Sequence, residues 1–213
     1  LLAAMVLGNY IIKDMLDAGV VLDSFNGMGP ILLPIVIAGV GIVASIVGTF
    51  LVQISNNDAK EAEVQKALDM GNWVSIIITL VACWFLIDMM LPETINMKFF
   101  GEGYKEIPAI NVFWSACIGL AVGALISMVT SYYTSLGKKP VLEIVQNSST
   151  GAGTNIIAGL AVGMKSTFLS VILFAAAIYG SYALAGFYGV ALAASAMMAT
   201  TAMQLAIDAF GPI

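Results

Sequence analysis

The sequence predicts an all-α protein that crosses a membrane as a helical bundle. Of its 213 residues, 60% are hydrophobic and 10% are charged, whereas soluble domains contain about 25% charged residues. The mean hydropathy is +0.98, and several apolar runs reach the roughly 20 residues that a helix needs to span the hydrocarbon core. Composition, hydropathy and run length therefore all indicate an integral, multi-pass membrane protein.

Five apolar segments are predicted to be full transmembrane helices, and an earlier helix ends before them. They are residues 30–54, 73–91, 112–135, 154–184 and 189–210, and the earlier helix ends in residues 1–16. A turn at 182–189 separates the last two. The charged segment 56–72 is expected to extend a helix beyond the membrane, and 92–111, with Gly and Pro, to form an irregular loop. Residues 1–213 are treated as one transmembrane domain, and their abrupt ends suggest a fragment of a longer protein.

The charged residues exclude one class of partner and suggest an orientation. The net charge is −5, and the sequence contains neither His nor Arg, so nucleic acid, which requires a basic surface, is not an expected partner. The connections 56–72 and 136–153 carry four Lys, against three on the opposite side. The excess of positive charge predicts that these two connections are cytoplasmic.

Small residues recur at helix-packing spacing. The pentapeptide GLAVG occurs at 119–123 and again at 159–163, and each copy is a GxxxG pattern. Because lipid gives no hydrophobic drive for helix association, close backbone approach at small residues supplies the packing energy. We therefore predict that Gly119, Gly123, Gly159 and Gly163 are helix-packing positions. The alternative is that part of this stripe lines a narrow polar path.

The residues that could carry chemistry are few. The GAG at 151–153 lacks the third Gly of GxGxxG, and GxxxxGK[ST] does not occur, so the GAG is interpreted as a helix start with Ser or Thr at the cap. Lys165 and Asp88 are expected to lie at the membrane interface. Asp208 closes the fifth span, where a carboxylate could face a cavity. Cys83 and Cys117 match no metal or redox spacing, so no metal site is predicted.

Two stretches carry a family resemblance. Residues 131–167 contain SYYTS, then KKPV, then STGAGTNIIAGLAVGMKST, and residues 200–213 read TTAMQLAIDAFGPI. In this order they resemble the signature of the membrane-bound pyrophosphatases, in which EYYTS, KPV and TGxxTNIIxGLAVGxxST are followed by DAYGPI and SDNAGG. The resemblance covers most of the chain. Two residues depart from it: Ser131 replaces a Glu, and Lys165 replaces an acidic or neutral residue.

The resemblance implies a fold, a function and partners. Family members are homodimers of sixteen-helix chains, in which the five spans would be the seventh to eleventh helices. They hydrolyse pyrophosphate with Mg²⁺ at a cytoplasmic site and pump H⁺ or Na⁺ across the lipid bilayer, and some use K⁺. By this resemblance the full-length protein would be an enzyme, most simply in a prokaryotic plasma membrane.

The same resemblance assigns little of the active site to this stretch. The magnesium ligands, the pyrophosphate-binding lysines and the ion gate of the family would lie outside it, so the fragment is expected to be mainly scaffold and inactive alone. Asp208, Gly211 and Pro212 match the family's motif and would position the DNAGG segment that follows. Two alternatives remain: a secondary transporter without enzymatic activity, and a noncatalytic truncated homologue.

Overall fold

The computed structural model describes residues 1–19, 24–52, 61–98 and 103–210, and within them the chain is mainly helical. The elements are α1 (Leu2–Asp17), α2 (Gly29–Leu51), α3 (Glu61–Met90), β1 (Thr94–Lys98), β2 (Tyr104–Pro108), α4 (Ala109–Thr134), α5 (Lys139–Ser148), α6 (Ala152–Met197) and α7 (Thr201–Phe210). Short 3-10 turns precede α2 and join α6 to α7. Four stretches, beginning in α2, α3, α4 and α6, are long and apolar enough to cross a membrane.

Helix α6 reverses direction within its length. Ala185 and Gly186 have non-helical backbone angles, and the φ of Gly186 is +58°, a conformation that glycine adopts without the steric cost of a Cβ. We call residues 152–184 the first limb and residues 187–197 the second limb. The predicted turn at 182–189 is therefore present, and α6 comprises the predicted fourth span and the start of the fifth.

The two limbs pack against α4 in opposite directions. On the first limb, the carbonyl of Ser181 accepts a bond from the Ser115 hydroxyl near the start of α4, while Leu169 borders a groove near the end of α4. On the second limb, Ala193 lies against Gly119 and Met197 lies against Gly123. The first limb is therefore antiparallel to α4, and the second limb is parallel to it.

The fifth span lies at the centre of the described bundle. It consists of the second limb, the 3-10 turn Met198–Thr200 and α7. Ala199 in the turn lies against Gly41 of α2, and the Met203 side chain of α7 lies against Gly71 of α3. Helix α1 lies where the earlier helix was predicted, and the long apolar helices with these contacts between them confirm the predicted all-α membrane bundle.

Apolar side chains fill the interior and also cover the outward faces. The core contains Ile11, Met15, Leu33, Ile37, Tyr188, Leu192 and Met203, each no more than 1% exposed. Outward-facing apolar side chains on the first limb include Ile156, Leu160, Phe168 and Val171. Apolar outer faces are expected of helices surrounded by hydrocarbon, where every backbone polar group is satisfied within the helix.

The predicted irregular loop at 92–111 was wrong, because it contains a β-hairpin. Strands β1 and β2 pair antiparallel, with Ile95 opposite Ile107, and both side chains are buried. The backbone N–H of Lys98 donates to the Asp14 carboxylate of α1 at 3.0 Å. Burial of one face of the hairpin in the folded protein, rather than the β-propensity of its residues, therefore determines the structure of this connection. Its Pro108 ends β2, where a missing N–H costs least.

The two connections predicted to be cytoplasmic contain helices. Helix α3 begins at Glu61, so the predicted helical extension is present from residue 61 onward, and residues 53–60 lie outside the described residues. The other connection contains α5. Its Pro140 lies in the first turn, where proline is favoured because the N–H would be unpaired in any case.

The start of α6 differs from the prediction in its cap. Gly151, rather than Ser or Thr, is the N-cap residue, with φ +136° and ψ 164°. The Thr150 hydroxyl instead donates to the Asn147 carbonyl of α5 at 2.8 Å, and that of Thr154 donates to the Gly151 carbonyl at 2.8 Å. The threonines thus join α5 to α6, while Gly151 supplies a backbone conformation that is essentially restricted to glycine.

Candidate functional site

Close backbone contacts hold the fifth span on two sides. A Cβ added at Gly119 of α4 would lie 2.7 Å from the carbonyl carbon of Ala193, and one added at Gly41 of α2 would lie 2.6 Å from the carbonyl oxygen of Ala199. Separations under 3.0 Å are essentially never seen for real Cβ atoms. Only glycine therefore allows α2 and α4 to approach the fifth span this closely.

The two GLAVG copies occupy different environments. At Gly123 an added Cβ would lie 3.1 Å from the Met197 Cγ, so the first copy faces the second limb. At Gly159 and Gly163 no heavy atom of the described residues lies within 4 Å of the Cβ position. The packing role of Gly159 and Gly163 thus stays a prediction, and it requires a neighbour outside the part of the chain that the structure describes.

A tyrosine hydroxyl replaces a backbone hydrogen bond that is missing from α2. Pro34 lies inside this helix and has no N–H to donate to the carbonyl four residues earlier, at Pro30. The hydroxyl of Tyr188, a fully buried residue of the second limb, donates to that carbonyl at 2.8 Å. Tyr188 was not predicted to be important. The sequence indicated only that Pro34 leaves a carbonyl without a donor, and it did not indicate which residue would supply one.

Several buried hydroxyls are satisfied within their own helices. Those of Ser75 and Thr79 donate to carbonyls four residues earlier in α3, at 2.9 and 2.8 Å. Ser195 in the second limb donates in the same way to Ala191 at 2.9 Å. Such back-bonding is the usual means of burying a hydroxyl in a helix, so these residues need no bound ligand to explain them.

The residues predicted to position the catalytic segment lie at the end of the described chain. Asp208 is in α7, and the structure describes its backbone but not its side chain. Gly211 and Pro212 lie outside the described residues. Asp88, near the end of α3, and Lys165, on the first limb, are both exposed, as expected of interfacial charges.

The described residues do not provide a magnesium site. Among them, no group of three or more His, Cys, Asp or Glu is close enough to hold a metal ion, whereas Mg²⁺ requires oxygen ligands in near-octahedral geometry. Cys83 and Cys117 are free cysteines. The side chains that the structure describes therefore do not form a site for Mg²⁺, the metal that the resemblance implies. No catalytic step can be assigned to these residues.

Known proteins match this chain over most or all of its length. The K(+)-insensitive pyrophosphate-energized proton pump of Caldanaerobacter subterraneus subsp. tengcongensis is 38% identical over 205 residues, which are 92% of this chain and 28% of that protein. Pyrophosphate-energized proton pump 2 of Mycoplana dimorpha is 38% identical over 194 residues, 89% of this chain and 90% of that protein. The protein of that name from Rhizobium leguminosarum bv. trifolii is 37% identical over 180 residues, 84% of this chain and 80% of its own length.

The chain therefore spans less than a third of the first relative and most of the other two. The sequence model for the inorganic H⁺ pyrophosphatases matches residues 1–213, the whole of this chain. It covers the glycines that contact the fifth span as well as the segment that ends in Asp208. The chain belongs to the inorganic H⁺ pyrophosphatase family.

Proposed function

We propose that the full-length protein is an ion-translocating pyrophosphatase, which couples hydrolysis of pyrophosphate to H⁺ pumping across a prokaryotic plasma membrane. The observation that carries this proposal is the family match over residues 1–213, and the names of the relatives support H⁺ as the ion. Na⁺ is the second candidate ion and is separated from H⁺ by the experiment below.

In this proposal the described residues form a scaffold for the fifth span. Pyrophosphate is highly charged, and Mg²⁺ supplied with it would neutralise that charge and activate water. Since the described residues gather no metal-binding cluster, the rest of the protein provides the ligands. The stretch alone is then inactive, and the complete protein functions as a homodimer.

The contribution of this stretch to catalysis is proposed to be positioning by Asp208, Gly211 and Pro212. In the sequence these residues follow the closely packed part of the fifth span, which α2 contacts at Gly41 and α4 contacts at Gly119. Asp208→Asn is expected to lower kcat for pyrophosphate hydrolysis at least tenfold with little change in the thermal unfolding midpoint. Asp88→Asn is the matched control, since Asp88 is exposed near the end of α3.

A structural role alone would make the midpoint and kcat of Asp208→Asn fall together, and unchanged values of both would show that the Asp208 carboxylate has neither role. A change confined to kcat, with KM retained, supports positioning of the catalytic segment. A shift in KM alone would instead indicate that Asp208 affects substrate binding.

The coupled activity is tested in inverted membrane vesicles that contain the protein expressed from its complete coding sequence. Addition of pyrophosphate with Mg²⁺ is expected to release phosphate and to acidify the vesicle interior, as reported by a pH-sensitive dye, and a protonophore should abolish acidification while hydrolysis continues. Uptake of labelled Na⁺ that the protonophore does not reduce would identify Na⁺ as the ion. Titration with K⁺ shows whether K⁺ is a second cofactor.

Absence of phosphate release from vesicles with correctly inserted protein would exclude the proposed activity. Solute-driven ion exchange in those vesicles would favour a secondary transporter, and absence of both activities would favour a noncatalytic homologue.

A further inference from the structure

A cleft of about 230 Å³, lined by both polar and apolar side chains, lies between α3 and α4, at the end of the bundle where α3 begins and α4 ends. The segment before α5 contributes Lys138 to it. The lining residues are Asp69, Asn72, Trp73, Ala124, Ser127, Met128, Ser131, Tyr132 and Lys138. The predicted spans begin at Trp73 and end near Ser135, so the cleft lies at the boundary between hydrocarbon and headgroups.

One buried acceptor in the cleft has no partner. Asn72 is only 7% exposed, and no group of the described residues donates a hydrogen bond to its Oδ1 atom. A buried acceptor without a donor destabilises the folded protein. Asn72 therefore brings to the wall of the cleft an acceptor that the described residues leave without a donor.

The cleft also carries both signs of charge without an internal ion pair. Asp69 accepts a hydrogen bond from Gln65 at 3.2 Å, and neither Asp69 nor Lys138 forms a salt bridge within the described residues. Ser127 and Ser131 also line the cleft, and the Ser131 hydroxyl lies within hydrogen-bond distance, 3.1 Å, of the Ser135 hydroxyl. A molecule with a cationic donor and an anionic acceptor would match both charges.

An apolar groove adjoins this cleft. It is lined by Met128, Val129, Tyr132, Tyr133 and Leu169, on α4 and the first limb, and it shares Met128 and Tyr132 with the cleft. Trp73 and Tyr132 are each about half exposed beside it, as is typical of aromatic residues at the headgroup level of a bilayer.

We propose that this cleft and groove bind a phospholipid whose headgroup carries a primary amine, such as phosphatidylethanolamine. Lys138 and the Ser131 hydroxyl bind the phosphate. The Asp69 carboxylate and the Asn72 carbonyl oxygen accept hydrogen bonds from the ammonium group, and an acyl chain occupies the apolar groove. A free phosphate ion fits less well, because it would leave the groove empty and Asp69 beside an anion.

The first experiment compares lipids on the unmodified full-length protein by native mass spectrometry from mild detergent. Phosphatidylethanolamine is expected to be retained at least about fivefold better than phosphatidylcholine, whose quaternary amine donates no hydrogen bond, and than phosphatidylglycerol, which has no amine. Glycerophosphoethanolamine and inorganic phosphate, which lack acyl chains, should not be retained. Equal retention of the three lipids, or no retained phosphatidylethanolamine, would overturn the proposal.

The second experiment locates the binding. Lys138→Gln and Asp69→Asn are each expected to lower retention of phosphatidylethanolamine about fivefold, and Asp69→Asn should also remove the preference over phosphatidylglycerol. Lys139→Gln and Glu143→Gln are the matched controls, because both side chains are exposed in α5 and lie outside the cleft. Retention that is equal in all four variants would place the lipid elsewhere and contradict the proposal.

Discussion

At the residue scale, the contact between Tyr188 and Pro30 shows how a membrane helix accommodates an internal proline. Pro34 leaves the Pro30 carbonyl without its helical donor, and no water is available in hydrocarbon to replace it. The Tyr188 hydroxyl supplies the missing bond at 2.8 Å from a fully buried position. The second limb is thereby joined to the first turn of α2.

Tyr188→Phe is expected to lower the free energy of unfolding by about 1–3 kcal/mol, because it leaves that buried carbonyl unpaired. The measurement is the unfolding of the full-length protein in mixed micelles. Tyr179→Phe removes a hydroxyl from a residue that is 78% exposed and should change little. Equal effects of the two variants would show that the bond to Pro30 contributes nothing specific.

Gly151→Ala tests the backbone conformation at the start of α6. Because φ is +136° there, in a region that is essentially restricted to glycine, the substitution is expected to cost about 1–3 kcal/mol. Gly153→Ala, two residues along with nothing within 4 Å of its Cβ position, should be neutral or stabilising by up to about 1 kcal/mol. Thermal unfolding midpoints of both variants check this; a midpoint for Gly151→Ala no lower than that for Gly153→Ala would contradict it.

These residues also show what the sequence could and could not predict. Pro34 in the sequence implies that the Pro30 carbonyl has no helical donor. The residue that donates to this carbonyl lies 158 residues from Pro30, and no local sequence pattern connects the two. The GAG at 151–153 was expected to start a helix and does so, with Gly151 as the N-cap of α6. The expected Ser or Thr cap was wrong, because the Thr150 hydroxyl bonds to the preceding helix.

At the element scale, the position of the fifth span depends on glycines of two neighbouring helices. α2 approaches it at Gly41, and α4 approaches it at Gly119. The atoms that face these glycines are backbone atoms and the Cβ of Ala199, so neither helix can relax by moving a flexible side chain. Interiors packed this closely respond to the addition of a single methyl group.

Gly41→Ala is expected to destabilise the protein by about 1–3 kcal/mol, because the added Cβ would collide with Ala199. Gly39→Ala is the control: it is on the same helix, but no described atom lies within 4 Å of its Cβ position. Unfolding of both variants in mixed micelles gives the difference. A cost for Gly39→Ala that equals that for Gly41→Ala would mean that helix flexibility, rather than the contact with Ala199, determines the effect.

Hydropathy predicted the spans but not all the connections. The five segments were long and apolar, and a glycine marked the reversal in α6, so both were predictable. The hairpin at 94–108 was not, because its order comes from burial of Ile95 and Ile107 and from contact with α1. The two GLAVG copies were indistinguishable in sequence, although only the glycines of the first copy face a described helix.

At the scale of the whole molecule, the scaffold role of the described residues is part of the proposal, and the proposed chemistry depends on the remainder of the protein. The resemblance in sequence predicted the family and singled out Asp208. The family match over residues 1–213 confirms that the chain belongs to the family, and the role of Asp208 stays a prediction. The site itself could not be derived from this stretch, because its described residues gather no set of metal ligands.

Replacing both Gly159 and Gly163 by Leu in the full-length protein is expected to reduce folding or the coupling of pumping to hydrolysis. The reason is that their outward face is free of described neighbours and is available to a helix from the rest of the assembly. The measurement is the ratio of H⁺ uptake to phosphate release, together with the yield of folded protein. Unchanged values of both would show that no close helix contact exists there.

The reversal at Ala185 and Gly186 has a consequence for biosynthesis. α4 and both limbs of α6 come from one continuous stretch, so they leave the ribosome in succession and can associate once the second limb has been inserted. α2 is synthesised much earlier and can meet α3, yet Gly41 and the Pro30 carbonyl acquire their partners only when the second limb and the turn after it arrive. The contacts that join α2 and α4 through the fifth span can therefore form only after the second limb and the turn after it have been synthesised.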